Sequence, residues 1–146
     1  MYKLERWLFL HHIPMLPRLI KGTIYLIHNC SISFQTQIGE NCKFLYGGIG
    51  CVVGKDAIIG NHVIIGTNVL IGGRSNKIGM PVIGNNVYVA TGAKVLGDIK
   101  IGDNVIIGAN AVVIHDVPSN CSVGGIPAKI LKQNIDVNDY CSLSKY

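Results

Sequence analysis

The sequence of 146 residues lacks the features that mark several classes of protein. It holds 18 glycines but no Gly-X-Y period, which excludes a collagen-like chain. Its five cysteines are odd in number and include no CxxC pair, so buried free thiols in the reducing cytoplasm are expected. The apolar N-terminal stretch has no signal-peptide cleavage site and is too interrupted, by Pro14, Pro17, Arg18 and Lys21, to span a membrane.

Aromatic residues are also scarce, at 7% of the chain, which suits a fold with a narrow interior. Basic residues exceed acidic ones and give a formal net charge of +5. Beyond the N-terminal stretch this excess is scattered and has no aromatic residues interleaved with it. A nucleic-acid partner is therefore not expected.

What the sequence does have is a period of six residues through its middle. Each unit begins with an aliphatic residue, usually continues with Gly, and has a small residue or Val at its fifth place. A fixed internal period of this kind is typical of a solenoid. The first places are Ile32, Ile38, Phe44, Val53, Ile59, Ile65, Ile71, Ile83, Val89, Val95, Ile101, Ile107 and Val113.

The length of the unit predicts its geometry. Six residues allow one short strand and one tight turn, with the first-place side chain pointing inward. Gly at the second place is expected to free the backbone for the turn. Triplets of units then form triangular coils that stack as parallel strands about 4.8 Å apart. The period does not fix the hand of the coils, but the rule for ordinary parallel crossovers predicts right-handed winding.

The chain divides into three segments by pattern: residues 1–29, 30–131 and 132–146. The first is apolar with a helical pattern, and two short helices covering the open bottom of the prism are expected. The alternative is a peripheral foothold on the cytoplasmic face of the membrane. Lys3, Arg6, Arg18 and Lys21 against Glu5 give this segment most of the net charge, which suits anionic lipid.

The period breaks in two Gly-rich places. Nine residues instead of six separate Phe44 from Val53, and twelve separate Ile71 from Ile83. The second stretch has lost its apolar pattern and is predicted to protrude as a loop. Breaks within solenoids often carry function, although loops also leave solenoids without one.

The repeats and several motifs together resemble a known family. Gly72-Gly73, the run 83–97, the run 108–113 and the closing stretches 116–120 and 124–130 are similar to those of the left-handed β-helix acyltransferases. The closest subgroup resembles serine acetyltransferase, especially its short versions linked to surface-polysaccharide synthesis. The resemblance spans about residues 30–131 and implies a left-handed parallel β-helix. It also implies a homotrimer with active sites at subunit boundaries and acetyl-CoA in the groove between neighbouring prisms.

The resemblance also implies which residues contact the cofactor. Small residues would let the pantetheine arm lie close to the backbone, although small residues at coil corners also simply permit turns. Lys129 would meet a CoA phosphate. The other candidates for acetyl-CoA contact are Gly72, Gly73, Thr91, Gly92, Ala93, Gly108, Ala109 and Asn110.

The residues that the family uses for catalysis differ here. Acetyl transfer to a hydroxyl needs a base, usually His. Tyr46-Gly47 stands where serine acetyltransferases carry an Asp-His pair, and Met80 stands at the place of a second His. The acidic residue that holds the amino group of serine falls near Ser31.

The catalytic base is therefore not identified from the sequence. His62, at an outward corner, and His115, beside Asp116, are candidates, and Tyr46 is a candidate for orienting an acceptor hydroxyl. His11, His12 and His28 lie in or beside the N-terminal segment and are expected to be structural. The repeat region offers no set of three histidines like that of the β-helical carbonic anhydrases, so no metal site is predicted.

These observations favour an acetyl-CoA-dependent O-acetyltransferase that acts on a sugar hydroxyl in bacterial surface-polysaccharide synthesis. The acceptor hydroxyl would attack the thioester carbonyl directly, and amides of the Gly-rich loop would stabilise the oxyanion. A serine O-acetyltransferase of cysteine biosynthesis is one alternative. A catalytically degenerate protein that binds CoA or only a partner is the other.

Overall fold

Short strands follow two N-terminal helices in the computed structural model, which describes residues 2–11, 16–76 and 78–140. The helices are α1 (Tyr2–Leu10), α2 (Leu16–His28) and a final short α3 (Val137–Tyr140). The strands are β1 (Ser31–Ile32), β2 (Gln37–Ile38), β3 (Lys43–Phe44), β4 (Val52–Val53), β5 (Ile58–Ile59), β6 (Ile64–Ile65), β7 (Leu70–Gly72), β8 (Val82–Ile83), β9 (Tyr88–Val89), β10 (Lys94–Leu96), β11 (Lys100–Ile101), β12 (Ile106–Ile107), β13 (Val112–Val113), β14 (Cys121–Gly125) and β15 (Ala128–Gln133).

The strands form three parallel sheets in which every third strand along the chain is a neighbour. Sheet one is β1-β4-β7-β10-β13, sheet two is β2-β5-β8-β11, and sheet three is β3-β6-β9-β12-β14. The antiparallel β15 closes sheet three at its end. Three consecutive strands thus complete one coil, and the predicted solenoid is confirmed.

The core is a column of first-place and fifth-place side chains. Val53, Ile59 and Ile65 of one coil are at most 2% exposed, as are the fifth-place Ala57 and Val63. Burying each Val or Ile contributes about 1.5–3 kcal/mol, and each coil covers the open face of the one below. The inward direction predicted for these two places is confirmed.

The expected reason for Gly at the second place is wrong. Left-handed backbone occurs at the fourth place instead, for example at Asn68 (φ 56°) and Asn86 (φ 53°). A Cβ added to Gly60 would lie 2.6 Å from the carbonyl oxygen of Gly84 in the next coil. At Gly39 and Gly60 the second place requires Gly because the next coil approaches too closely for a side chain, whereas the space beside Gly72 is open.

The two N-terminal helices pack against the first coil. Arg6 donates hydrogen bonds to the carbonyl oxygens of Phe34 (3.3 Å) and Gln35 (3.4 Å), and also to that of Thr36. The Phe9 ring contacts the Phe34 ring with centroids 4.7 Å apart. Ile24 packs against the core cluster from α2. Neither these helices nor any other in the described ranges is long and apolar enough to cross a bilayer.

Both breaks in the period form irregular segments. The first is a 3₁₀ turn over Leu45–Gly48, in which Tyr46 has a φ of 52°. The second leaves sheet one after Gly72 as the predicted loop, where Ile78 is fully exposed. Met80 returns to pack against the core cluster before β8 begins.

The cysteines in the described residues are free. Cys30, Cys51 and Cys121 are buried and Cys42 is half-buried, while Cys141 lies outside the described residues. Burial raises the pKa of the Cys30 thiol to about 11, and the neighbouring Cys51 adds to the shift.

Candidate functional site

The prism has three edges at which the chain turns from one sheet to the next. Edge one leads from sheet one to sheet two, and edge two leads from sheet two to sheet three. Edge three leads from sheet three back to sheet one. Edge three comprises residues 45–51, 66–69, 90–93 and 108–111 in successive coils.

Most of the predicted cofactor residues lie together on edge three. The N–H of Asn110 donates to the carbonyl of Thr91 (3.0 Å), and the N–H of Gly92 donates to that of Thr67 (2.9 Å). Thr91, Ala109 and Asn110 are exposed, whereas Gly92 is buried beneath them. A Cβ on Gly92 would overlap the Asn110 side chain, so successive turns of this edge pack closely only because Gly92 has no side chain.

Lys129 lies at the upper end of the same edge. It is opposite Gly124 in the pairing of β15 with β14, and it is exposed. The N–H of Gly108 donates to the carbonyl of Val123 (2.8 Å), so β14 forms the layer directly above edge three. The structure therefore brings Lys129 to the layer beyond Gly108.

Three predicted cofactor residues are not on the outer surface of edge three. Ala93 is fully buried, its N–H donates to Ala90 (3.2 Å), and its carbonyl accepts from Leu70 (3.0 Å). Ala93 therefore faces the core and cannot offer a side chain to a ligand. Gly72 and Gly73 lie on edge one, at the opposite end of sheet one from edge three.

Tyr46 shares edge three with the cofactor candidates. Its side chain is 80% exposed, and the 3₁₀ turn that carries it lies on the first coil. The N–H of Asn68 donates to the carbonyl of Ile49 (2.9 Å), which joins this turn to the coil above. Two coil spacings, or about 10 Å, separate Tyr46 from Thr91 along the edge.

The sequence interpretation missed Lys94, which ties two coils together at edge three. Its Nζ donates to the carbonyl oxygens of Gly92 (2.6 Å) and Asn68 (3.1 Å). The ammonium group of Lys94 thus lies beside the Thr91–Ala93 turn, where two backbone carbonyl oxygens hold it. A lysine immediately after the predicted Thr91–Ala93 turn was the signal that could have identified it.

His62 occupies a structural position on edge two. It takes the left-handed corner (φ 57°) that Asn41 and Asn86 occupy in neighbouring coils. Its Nε2 is 3.2 Å from the amide nitrogen of Asn41, and its N–H donates to the carbonyl of Glu40 (2.8 Å). His62 therefore continues a ladder of corner side chains.

His115 lies on edge one of the last coil, where it is exposed. Oδ1 of Asp116 accepts a hydrogen bond from the backbone N–H of Lys100 (2.9 Å), so this carboxylate holds the start of β11. Among the bonds of the described residues, none joins Asp116 to the His115 ring. In the described part of the chain, Asp116 therefore does not orient the His115 ring.

The catalytic candidates are thus on three different edges of one subunit. Tyr46 alone lies on the edge that carries the cofactor candidates. That edge has no Asp, Glu or His among its residues, so it holds no conventional general base. Over the described ranges, no group of three or more His, Cys, Asp or Glu side chains is arranged to hold a metal ion.

The remaining histidines belong to the N-terminal segment. The Nδ1 of His11 is 2.8 Å from the carbonyl of Trp7, and its ring stacks on the Trp7 ring at 4.1 Å. His12 and the side chain of His28 lie outside the described residues, so their structural roles stay predictions.

Comparison with known proteins supports the resemblance. A family model described as bacterial transferase hexapeptide (six repeats) matches residues 80–115. Among solved structures, serine acetyltransferase from Neisseria gonorrhoeae is 28% identical with a TM-score of 0.85, and the match covers 94% of this chain and 53% of that one. A serine acetyltransferase complexed with CoA is 31% identical with a TM-score of 0.81, covering 89% and 53%. Soybean serine acetyltransferase complexed with serine is 32% identical with a TM-score of 0.82, covering 89% and 54%.

The chain spans about half the length of these serine acetyltransferases. No curated protein sequence matches this chain significantly.

The winding of the coils follows from this relationship. The fold is the left-handed β-helix, which confirms the hand implied by the resemblance and overturns the right-handed expectation. The crossover rule describes connections that pack over the face of a sheet, whereas each crossover here consists of strands of the other two sheets. The chain forms a left-handed β-helix, its residues 80–115 match the bacterial transferase hexapeptide model, and it is similar to the serine acetyltransferases over most of its own length.

Proposed function

We propose that the protein is an acetyl-CoA-dependent O-acetyltransferase whose acceptor is a sugar hydroxyl, as in the synthesis of bacterial surface polysaccharide. The observation that carries this proposal is the row of small residues on edge three, from Thr91 and Gly92 to Ala109 and Asn110, with Lys129 beyond its end. A serine acetyltransferase complexed with CoA is among the similar structures.

The donor would lie along edge three, parallel to the axis of the prism. Exposed Thr91, Ala109 and Asn110 leave room for a narrow pantetheine arm to approach the backbone. Lys129 would pair with a CoA phosphate as a charge-assisted contact. The thioester would then point down the edge, towards the 3₁₀ turn at Tyr46.

The acceptor would be a neutral polyol. Residues 45–50 and 66–69, around the lower end of edge three, include no charged side chain that would hold the ammonium and carboxylate of free serine. The exposed Tyr46 ring instead offers an apolar face and a phenolic hydroxyl, which suit a sugar ring. This local chemistry favours the sugar over the serine alternative.

In the proposed reaction, the acceptor oxygen attacks the thioester carbonyl carbon. A C–O bond forms, the C–S bond breaks, and the hydroxyl proton passes through a base to the departing CoA thiolate. Because edge three of one subunit carries no such base, a neighbouring subunit of the proposed homotrimer would supply it. Gly72 and Gly73, on edge one of that neighbour, would contribute amides beside the oxyanion.

Two measurements test the proposal. Calorimetry should show acetyl-CoA binding that Ala109→Glu weakens at least about tenfold, because the variant places a negative charge beside the donor; a factor of ten needs only about 1.4 kcal/mol. Gln133→Glu adds the same single negative charge at an exposed position beside edge two and should bind normally. A thiol-release assay with acetyl-CoA and a panel of methyl glycosides should show release that depends on one of the sugars. Release that depends on serine alone would refute the sugar assignment.

A degenerate CoA-binding protein is the second candidate, because edge three holds no base. It predicts acetyl-CoA binding without acceptor-dependent thiol release. It also predicts that His62→Ala and His115→Ala leave the background rate unchanged. Loss of a measurable activity in either variant would refute it.

A further inference from the structure

The outward surface of the two N-terminal helices is rich in exposed apolar side chains. We call this the basal surface, and each of its members is more than half exposed. The members are Leu4, Trp7, Leu10, Leu19, Tyr25, Leu26 and Ile27.

The basal surface results from helices that are apolar on both sides. In α1, Leu8 is buried and Phe9 contacts the first coil, whereas Trp7 and Leu10 are three residues apart and share the opposite face. In α2, Ile24 packs against the core while Leu26 is 83% exposed. Folding of this chain alone therefore leaves apolar side chains of both helices exposed.

The net positive charge of the N-terminal segment indicates which kind of partner the basal surface would bind. Apart from Arg6, which donates to the first coil, residues 1–28 contain the basic Lys3, Arg18 and Lys21 and one acidic residue, Glu5. Lys3 is exposed beside Leu4. A second copy meeting this one through the same surface would oppose like charges. An anionic bilayer offers both an apolar layer for Trp and Leu and negative headgroups for Lys and Arg.

We propose that the basal surface docks on an anionic membrane surface, with α1 and α2 lying in the interface and the prism standing on it. Helices of 9 and 13 residues are too short to span the hydrocarbon layer but long enough to lie in its boundary. This inference does not depend on the proposed acetyl transfer.

The chain carries its own reporter, because Trp7 is its single tryptophan and lies on the basal surface. Vesicles of phosphatidylcholine with phosphatidylglycerol should shift its emission to the blue and co-sediment with the full chain. Vesicles of phosphatidylcholine alone should bind at least about tenfold more weakly. Added salt should reduce the binding, since it screens the attraction to the headgroups.

Variants distinguish binding through the basal surface from non-specific adsorption to vesicles. Leu10→Glu and Leu26→Glu should each weaken vesicle binding at least about tenfold, since burying a leucine is worth more than a factor of ten. Both positions are exposed, so circular dichroism should stay unchanged. Ile78→Glu alters a fully exposed isoleucine on the loop of edge one and should bind normally.

Several results would overturn the proposal. They are the absence of a Trp7 shift with anionic vesicles, equal binding to neutral vesicles, and equal loss of binding in Ile78→Glu. A doubling of the molecular mass that Leu26→Glu abolishes, without vesicle binding, would instead identify a surface for self-association.

Discussion

A close approach between coils makes the stability of the prism sensitive to a single methyl group. In Gly60→Ala the new Cβ would lie 2.6 Å from the carbonyl oxygen of Gly84 and 2.8 Å from Oδ1 of Asn85. The first of these atoms belongs to the backbone of the next coil, so relief requires the coils to separate where their parallel strands hydrogen-bond. Overpacking of this kind costs about 1–3 kcal/mol, which corresponds to a fall in Tm of about 2–4 °C per kcal/mol for a domain of this size.

Gly72→Ala is the matched control because Gly72 holds the same place in its unit. The loop leaves the prism after Gly72, and an added Cβ would meet only Leu70 Cδ1, at 3.6 Å. Urea and thermal unfolding should therefore show a loss of stability for Gly60→Ala and little change, or a slight gain, for Gly72→Ala. If the two variants lost equal stability, or if Gly60→Ala lost none, close approach between coils would not be the reason for the repeated Gly.

Three further changes test the site and the core. Lys94→Met removes the bonds that hold the Gly92 and Asn68 carbonyls, so we expect acetyl-CoA affinity to fall about tenfold by calorimetry, in line with the loss of a charged hydrogen bond. Tyr46→Ala should raise KM for the sugar acceptor in the thiol-release assay and leave acetyl-CoA affinity unchanged, because Tyr46 lies about 10 Å from Thr91. The Cys30 pKa is raised from 9.0 to about 11, so the native state holds its proton more tightly than the unfolded chain. The stabilisation is fully present below pH 9.0 and is lost as pH rises towards about 11, so urea unfolding over that range should show a smaller loss in Cys30→Ala.

Each of these predictions has a control and an opposing outcome. Lys100→Met removes an exposed lysine from sheet two, and equal loss of acetyl-CoA affinity in that variant would argue against a local role for Lys94. Tyr46→Phe keeps the ring, so its KM should stay near that of the parent protein if stacking matters. A pH profile in Cys30→Ala that matches the parent protein would show that another group causes the loss.

The repeat made the architecture predictable because its two inward places are repeated many times over. Ile65 and Val63 follow the same rule in the structure as in the sequence. The role of the second-place Gly was not predictable, because it depends on the distance between coils and not on the unit itself. The hand of the winding likewise depends on how whole coils close, and only the family resemblance supplied it.

Counting units explains which parts of the candidate site could be predicted. Every third unit returns to the same edge, so the units holding Thr91 and Ala109 share one edge while those holding His62 and His115 fall on the other two. Counting also predicts that Ala93, at a fifth place, faces inward, which argues against the cofactor contact that the resemblance implied. The bonds of Lys94 could not be predicted, because they depend on where its long side chain folds back.

The three edges differ in ways that bear on catalysis. Edge two is built from a ladder of polar corner residues, including His62, whose side chains bond to the next coil. Edge one carries the long loop. Edge three is lined by small residues such as Gly92 and Ala109, and their size is what leaves space for a narrow donor. That edge carries no Asp, Glu or His, so one subunit provides room for acetyl-CoA but no conventional base to accept the hydroxyl proton. If an adjoining subunit supplies that group, catalysis requires the assembled oligomer; if the acceptor supplies it, a single subunit is enough.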